Sequence, residues 1–207
     1  MIVEGPVTQF TQPKVSDGLN DGQATFGRYQ GQRMLDSHAQ LFDCVSRGNC
    51  YTASMQAAAA LGTAFTATAV TITLYNPANS SKVLVLLRTQ LCIVVATTAG
   101  HVDYAVNDTL NQAAPTATTP ITVHNAQLGR SIGNVGQAFS AATLPATPVG
   151  IGPIAGIVST TPGGVHSIID KVDGAIQLYP NSMLTVQGIT TNATGLVGFL
   201  WEEVDLN

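Results

Sequence analysis

The chain has 207 residues, which is enough for one β-sandwich or barrel domain of ordinary size with a buried core. Only 10% of its residues are charged, against roughly 25% in typical soluble domains, and Thr, Ala, Val, Gly and Asn are abundant. The net charge of −4 gives no general attraction to nucleic acid, and no uninterrupted apolar run reaches the roughly 18 residues of a membrane span. A monomer with so few charges is poorly protected against association. The composition is therefore typical of an all-β protein with large surfaces that face other protein.

The first residues lack a basic region followed by an apolar one, so the sequence predicts no secretion signal and folding in the cytosol. Cys44, Cys50 and Cys92 should then remain reduced. Cys44 and Cys50 could meet across a tight hairpin and pair after release from a cell, although the odd number of cysteines argues against this. Their spacing, with no further ligands nearby, is not that of a zinc site.

Residues 1–37 show neither a helical nor a strand period, and we interpret them as an extended arm ahead of a domain at residues 38–207. Aromatic residues are scarce in true disorder, so the widely spaced aromatic residues of the arm indicate contact with a partner or with the arm's own domain. The cations of the arm could pair with acidic groups of a neighbour or serve only solubility. The candidate partner contacts in the arm are Phe10, Phe26, Arg28, Tyr29 and Arg33.

The beginning of the domain has two competing interpretations. Residues 38–53 fit a short strand, a turn at residues 46–49 and a second strand, whereas a single helical turn over residues 39–45 is the alternative. Gly48 and Asn49 suit a turn that needs positive φ. The alanine run at residues 57–60 predicts a loop or a short helix, because so short a helix is unstable by itself.

Residues 69–96 predict the core of the domain. Val70, Ile72 and Leu74 alternate with polar residues, which is the period of a strand with one buried face. Turn residues follow, and the run at residues 83–96 is too apolar for an exposed strand and suits the centre of a sandwich. We expect the two strands to form a hairpin against which the other segments pack.

Short strands and turns continue to the end of the chain. Val102, Tyr104 and Val106 are expected to share one face of a strand. The Pro- and Gly-rich residues 145–165 predict a surface connection, and residues 107–120 a polar loop. Further strands are predicted at residues 119–124, 138–144, 175–178, 183–187 and 196–204. Such spacing indicates a β-sandwich or jelly roll.

No group of residues in the sequence predicts a catalytic, cofactor or metal site. His101 and Asp103 could place two metal ligands on one face of a strand, but a solvent-facing pair explains them equally, and Asp36 and His38 have the same spacing. The glycines at residues 150–156 lack the spacing and the strand–helix context of a phosphate loop. No Gly-x-Ser-x-Gly pattern occurs, so we expect no enzyme.

Trp201 is the only tryptophan and a sixth candidate partner contact. Large aromatic side chains usually anchor a core or a subunit interface. Stacking on a ligand such as a sugar is the alternative role.

Two segments resemble known proteins. TLYNPANSSKVLVLLRTQLCIVV resembles an LYNP…K.LVLL segment of a group of tailed-bacteriophage virion proteins, and the closing GAIQLYPNSMLTVQGITTNATGLVGFLWEEV resembles their last strands. HVDYAVN and AATLPATPV are also similar to that group, so the resemblance covers about three quarters of the chain, from about His38 onward.

The resemblance implies a jelly-roll β-sandwich that forms a homotrimer and decorates or cements the capsid, or belongs to the tail apparatus. Its partners would be copies of itself and the major capsid protein or another virion protein, with no nucleic acid, membrane or cofactor. The protein would fold in the host cytoplasm and reside in the virion. A receptor- or glycan-binding module of a tail or head fibre is the alternative.

Overall fold

The computed structural model describes residues 25–26, 32–33, 41–107, 113–130, 133–158 and 166–206. The chain divides into two units, residues 1–40 and residues 41–207. In the first unit, β1 (Thr25–Phe26) and β2 (Gln32–Arg33) pair in antiparallel orientation. The predicted contacts of Phe10, Arg28 and Tyr29 lie outside the described residues, and only the backbone is described at Phe26 and Arg33.

The second unit contains a short helix and two antiparallel sheets in its described residues. In chain order its elements are α1 (Phe42–Arg47), β3 (Cys50–Ser54), β4 (Ala59–Ala60), β5 (Thr73–Tyr75), β6 (Lys82–Ala96), β7 (Gly100–Asn107), β8 (Thr119–Ile121), β9 (Val123–Asn125), β10 (Gln137–Ser140), β11 (Val149–Ile157), β12 (His166–Leu178), β13 (Met183–Ile189) and β14 (Ala193–Asp205). The front sheet has the order β12–β6–β14–β3–β9, with β4 also paired to β14. The back sheet has the order β11–β7–β13–β5–β10–β8.

The two sheets share one hydrophobic core. The front sheet contributes Leu86 and Trp201, and the back sheet contributes Leu74 and Leu184, all of them fully buried. Burial of a large aliphatic side chain contributes about 1.5–3 kcal/mol, so facing sheets with alternating apolar residues stabilise each other. The all-β, sandwich-like architecture that the sequence predicts is therefore confirmed.

The predicted hairpin at residues 69–96 is wrong in its pairing. β5 pairs with β10 and β13 in the back sheet, whereas β6 pairs with β12 and β14 in the front sheet. Asn76 occupies the connection and donates hydrogen bonds from Nδ2 to the carbonyl oxygens of Lys82 and Leu178, each at 2.8 Å. The turn residues therefore form an arch between the two sheets. In this arch the side-chain amide of Asn76 links the start of β6 to the end of β12.

Two further predictions about the start of the domain are corrected. The segment before the turn forms the helix α1 instead of a strand, so the helical alternative is the nearer of the two predictions. Gly48 ends this helix in the left-handed region, with a φ of 77°. In the alanine run, Ala57 and Ala58 lie in a loop, which was one of the two predicted alternatives, whereas Ala59 and Ala60 form β4 and pair with β14. Hydrogen bonds to the long neighbouring strand outweigh the weak helix preference of so short an alanine run.

The predicted surface connection at residues 145–165 is corrected as well, because it contains the nine-residue strand β11. β11 lies at the edge of the back sheet and pairs only with β7 on the path through that sheet. An edge strand tolerates Pro153, which lacks a backbone donor, and the register shifts around it are bulges. The predicted strand at residues 119–124 is divided between β8 and β9, which belong to different sheets.

The arch generates a test of stability. Replacing the buried Asn76 by Ala leaves two interior carbonyl groups without their donor, so we expect the free energy of unfolding to fall by about 2–4 kcal/mol. Asn79 is exposed in the same turn, and its replacement by Ala should cost under about 0.5 kcal/mol. Denaturant unfolding measures both variants, and equal losses would show that the arch does not depend on Asn76.

Candidate interaction surface

The outer face of the back sheet is covered by the chain itself. Gln187 is buried on β13, where its Oε1 accepts from the backbone nitrogen of Thr66 at 2.9 Å and its Nε2 donates to the oxygen of Thr66 at 3.1 Å. Beside it, Val70, Leu144 and Met183 form a second apolar cluster. The long connection before β5 therefore acts as a cover, and Thr66 in it hydrogen-bonds the buried amide of Gln187.

The outer face of the front sheet carries apolar residues without such a cover among the described residues. Val197 and Phe199 point into the core, so the alternating Leu196 and Leu200 lie on the other side of β14, where both are half-buried and Leu196 also packs against residues of the core cluster. On the neighbouring edge strand, Ile169 is 56% exposed. A sheet of a sandwich normally presents polar residues on its outer side, so this surface is typical of a protein contact.

We call this outer surface the front face. It consists of Ser54, Arg88, Gln90, Cys92, Ser167, Ile169, Lys171, Leu196, Gly198, Leu200 and Glu202. A depression of about 300 Å³ lies in it, between β12, β6, β14 and β3. Gly198 helps to form the depression, because a Cβ there would lie 3.0 Å from Oγ of Ser54.

The front face carries charges of both signs. Arg88 on β6 lies directly opposite Lys171 on β12, and neither forms an ion pair with any described residue. Like charges placed opposite each other on adjacent strands repel, so this pair favours an anionic neighbour. Glu202 lies on the same side of β14, two residues beyond Leu200, and also has no ion pair within the described part of the chain.

A helix and two thiols cover one end of this surface. Cys50 points outward from β3 yet is fully buried, and the thiol of the nearby Cys44 on α1 donates a hydrogen bond to the carbonyl oxygen of Leu41 at 3.2 Å. Both cysteines are free thiols, and burial raises the pKa of each, with Cys44 raising the pKa of Cys50 further. The two thiols are therefore adjacent, protonated and shielded from solvent.

A buried carboxylate fixes the opposite side of β14. Glu203 accepts hydrogen bonds from the backbone nitrogens of Val135 at 3.0 Å and Gly136 at 2.8 Å, and from Nε1 of Trp201 at 3.3 Å. Nζ of Lys82 lies 3.9 Å from the carboxylate. These donors compensate the buried charge and hold the segment before β10 against the front sheet.

Trp201 lies in the interior, with its side chain fully buried and its ring centroid 6.2 Å from that of Tyr51. The core interpretation of this residue therefore fits the structure. A ring in this position does not reach a partner or a sugar in the fold described here, so the glycan-binding alternative has no stacking residue at this site.

The remaining candidate for chemistry is the pair His101 and Asp103 on β7. Nε2 of His101 lies 3.4 Å from Oδ2 of Asp103, and both side chains point to the same side of the strand. Two ligands do not complete a metal site, and the described residues contain no group of three or more His, Cys, Asp or Glu that could hold an ion. Asp36 and His38 lie outside the described residues.

Comparisons of the chain with family models, with curated proteins and with solved structures found no match. Within the described residues, no helix has the length and apolar character needed to cross a membrane. Sequence reasoning did not identify the front face. Its signal is present in LVGFLWEEV, because Leu196 and Leu200 alternate with the core residues Val197 and Phe199 and therefore lie on the outward side of β14.

The buried thiols give the first prediction for this surface. A thiolate is the reactive form, so iodoacetamide at about pH 8 should alkylate Cys44 and Cys50 at least about tenfold more slowly in the native protein than in denaturant. Peptide mass spectrometry measures the two sites separately. Native alkylation of either cysteine at the denatured rate would contradict the buried arrangement.

Glu203 gives the second prediction. In Glu203→Gln an NH₂ group faces backbone N–H donors, so the free energy of unfolding should fall by about 2–3 kcal/mol. Asp205 also approaches Lys82, at 4.0 Å, but its side chain is 83% exposed, so Asp205→Asn is the matched control and should cost under about 1 kcal/mol. Denaturant unfolding at one fixed protein concentration compares them, and similar losses would contradict the role of the buried carboxylate.

Proposed function

We propose that this chain is a structural component of a tailed-bacteriophage virion that decorates or cements the capsid as a homotrimer. The front face is the observation that carries this proposal, because outward-facing Ile169, Leu196 and Leu200 in a chain with 10% charged residues suit a protein held among other proteins. The resemblance of residues 73–95 and 174–204 to phage virion proteins supplies the biological setting.

The proposed fold in finer detail is a jelly roll. Strand pairing supports it, since β3 pairs with β14, β5 with β13, β6 with β12 and β7 with β11. The first four of these strands thus pair with the last four in reverse order. A long hairpin rolled into two sheets has this nested order, which is the arrangement of a jelly roll. In this interpretation β8 and β10 extend the back sheet, and β9 extends the front sheet.

Attachment to the shell is proposed to occur through the arm, residues 1–37. An arm spreads contact area over a neighbour and is ordered when it binds, which lowers the affinity of a single contact. Three arms in a trimer bind a symmetric shell together, so several weak contacts combine into stable attachment. The aromatic residues and cations of the arm are suitable anchors for this contact.

Deleting residues 1–37 tests the proposal. We expect the truncated protein to keep its circular dichroism spectrum and its oligomeric mass but to lose co-sedimentation with phage particles assembled without the protein. The full chain is the control, and antibody labelling of complete particles should locate it on the capsid. Normal binding by the truncation would contradict the role of the arm. Absence of the full chain from purified particles would contradict the virion function.

A further inference from the structure

We infer that Cys44 and Cys50 are a redox-active pair that closes to a disulfide between α1 and β3 when the protein meets a low-molecular-weight disulfide such as oxidised glutathione. Both cysteines are free thiols in the fold described above. The bond ties α1, the first described element of the second unit, to the front sheet. It involves only thiols of one chain, so it does not depend on the proposed function.

The turn between α1 and β3 fixes how the chain leaves the helix and enters the strand. Gly48 ends α1 with a φ of 77°, and its carbonyl oxygen accepts a hydrogen bond from Nδ2 of Asn125 at 2.7 Å. The carbonyl oxygen of Asn49 accepts from the backbone nitrogen of Glu203 at 2.9 Å. The chain therefore reverses at a fixed turn, and α1 packs against the start of β3.

The two thiols meet where the helix packs on the strand. Cys44 is 9% exposed and Cys50 is 0% exposed. Burial raises the pKa of both thiols, while Cys50 partly lowers the pKa of Cys44 and Cys44 raises the pKa of Cys50 further. Such mutual effects require neighbouring thiols, which is the first condition for a disulfide. They also make Cys44 the thiol of the pair that ionises more readily.

The third thiol of the chain, Cys92, lies too far away to compete for either partner. Cys92 on β6 is opposite Leu196 of β14, whereas Cys50 on β3 is opposite Glu202 of the same strand. Six residues of a strand span roughly 20 Å. In addition, β14 lies between β6 and β3. An odd number of cysteines is therefore compatible with one specific bond.

Opening of α1 gives the oxidant access to the buried pair. The helix has six residues and no side-chain hydrogen bond at its N-cap, and Cys44 is its one buried residue. So short a helix is unstable by itself, so it opens locally at a lower free energy than the whole domain. In contrast, β3 is paired with β14 on one side and with β9 on the other. Cys44 is therefore exposed while the sheet remains intact.

The reaction consists of two successive thiol–disulfide exchanges. The thiolate of Cys44 attacks one sulfur of oxidised glutathione, whose S–S bond breaks and releases one glutathione thiolate. When α1 closes, the thiolate of Cys50 attacks Sγ of Cys44, and the second glutathione leaves. The two cysteine thiols lose two electrons and two protons in total, and oxidised glutathione accepts both to become two reduced glutathione molecules. A reducing cytosol keeps the pair open, so the bond forms only in oxidising surroundings.

The first experiment detects the bond by peptide mass spectrometry. The full chain is reduced, placed in millimolar oxidised glutathione, blocked with N-ethylmaleimide and digested with trypsin without reductant. Arg47 separates Cys44 from Cys50, and Arg88 separates both from Cys92, so each cysteine lies in its own peptide. We expect the peptides of Cys44 and Cys50 to remain joined until reductant is added.

Two controls establish that the fold selects this pair. Cys92→Ala should leave the joined peptides unchanged, whereas Cys44→Ala should abolish them. The same oxidation in denaturant should also join the peptide of Cys92 to the others, because the fold no longer keeps it apart. Circular dichroism verifies that both variants remain folded.

The second experiment tests the opening of α1 with a matched pair of variants at the exposed Ser46. Glycine disfavours a helix relative to alanine, so Ser46→Gly should form the disulfide about fivefold faster than Ser46→Ala. The rate is measured by blocking free thiols at successive times in the same glutathione solution. Denaturant unfolding of the reduced variants verifies that the sheets remain intact in both.

The third experiment measures what the bond does to the helix. The backbone N–H of Val45 donates to the carbonyl oxygen of Leu41 at 3.1 Å and is released whenever α1 opens. Oxidation should slow hydrogen exchange of the α1 amides at least about tenfold, because the bond holds the helix against the sheet. Amides of β13 in the back sheet are the control and should exchange at the same rate in both forms.

The results overturn the inference if the native chain gives no joined peptides of Cys44 and Cys50, or if Cys92 joins either of them as often as it does in denaturant. Equal rates for the two variants of Ser46 would contradict opening of α1 as the route to the bond. Unchanged exchange of the α1 amides would contradict its effect on the helix. None of these outcomes depends on whether the chain is found in phage particles, so the proposed function stands or fails separately.

Discussion

The pairing of β6 with β14 is the constraint on which the rest of the structure depends. These strands of 15 and 13 residues form the centre of the front sheet, and their neighbours on both sides extend from them. Successive side chains of a strand point to opposite faces, so the register that buries Trp201 and Phe199 also places Leu200 and Leu196 outside. The packing of the core and the position of the two outward leucines are therefore two consequences of one register, and neither can change without the other.

The two sheets differ in what covers their outer faces. The back sheet is covered by a connection of its own chain, and the buried Gln187 and Thr185 beneath it are hydrogen-bonded. The front sheet keeps aliphatic residues at its surface, together with charges that form no ion pair within the described part of the chain. The proposed contact of the front face with other protein would account for the low content of charged residues, because a surface held against protein needs few charges to remain in solution.

Buried polar groups connect particular elements whose arrangement the apolar core by itself does not determine. Asn76 joins the arch after β5 to β6 and β12, and Glu203 joins β14 to the segment before β10. Between the sheets, the hydroxyl of Tyr104 donates to Oδ2 of Asp170 at 2.7 Å, and burial raises the pKa of that phenol. A buried donor or acceptor is costly without its partner, so such pairs select one arrangement of connections among several with similar apolar burial.

The sequence by itself determined where most strands are and which of their residues face the core. Val102 and Tyr104 alternate as expected, and the apolar run at residues 83–96 is the central strand β6. Only the tertiary structure decided which strands pair. The predicted hairpin became an arch, residues 149–157 within the predicted surface connection formed an edge strand, and Leu196 and Leu200 of β14 lie on the outer side of the front sheet. Alternation is a local property of the chain, whereas sheet partners and outer covers depend on contacts between residues distant in sequence, which no local period records.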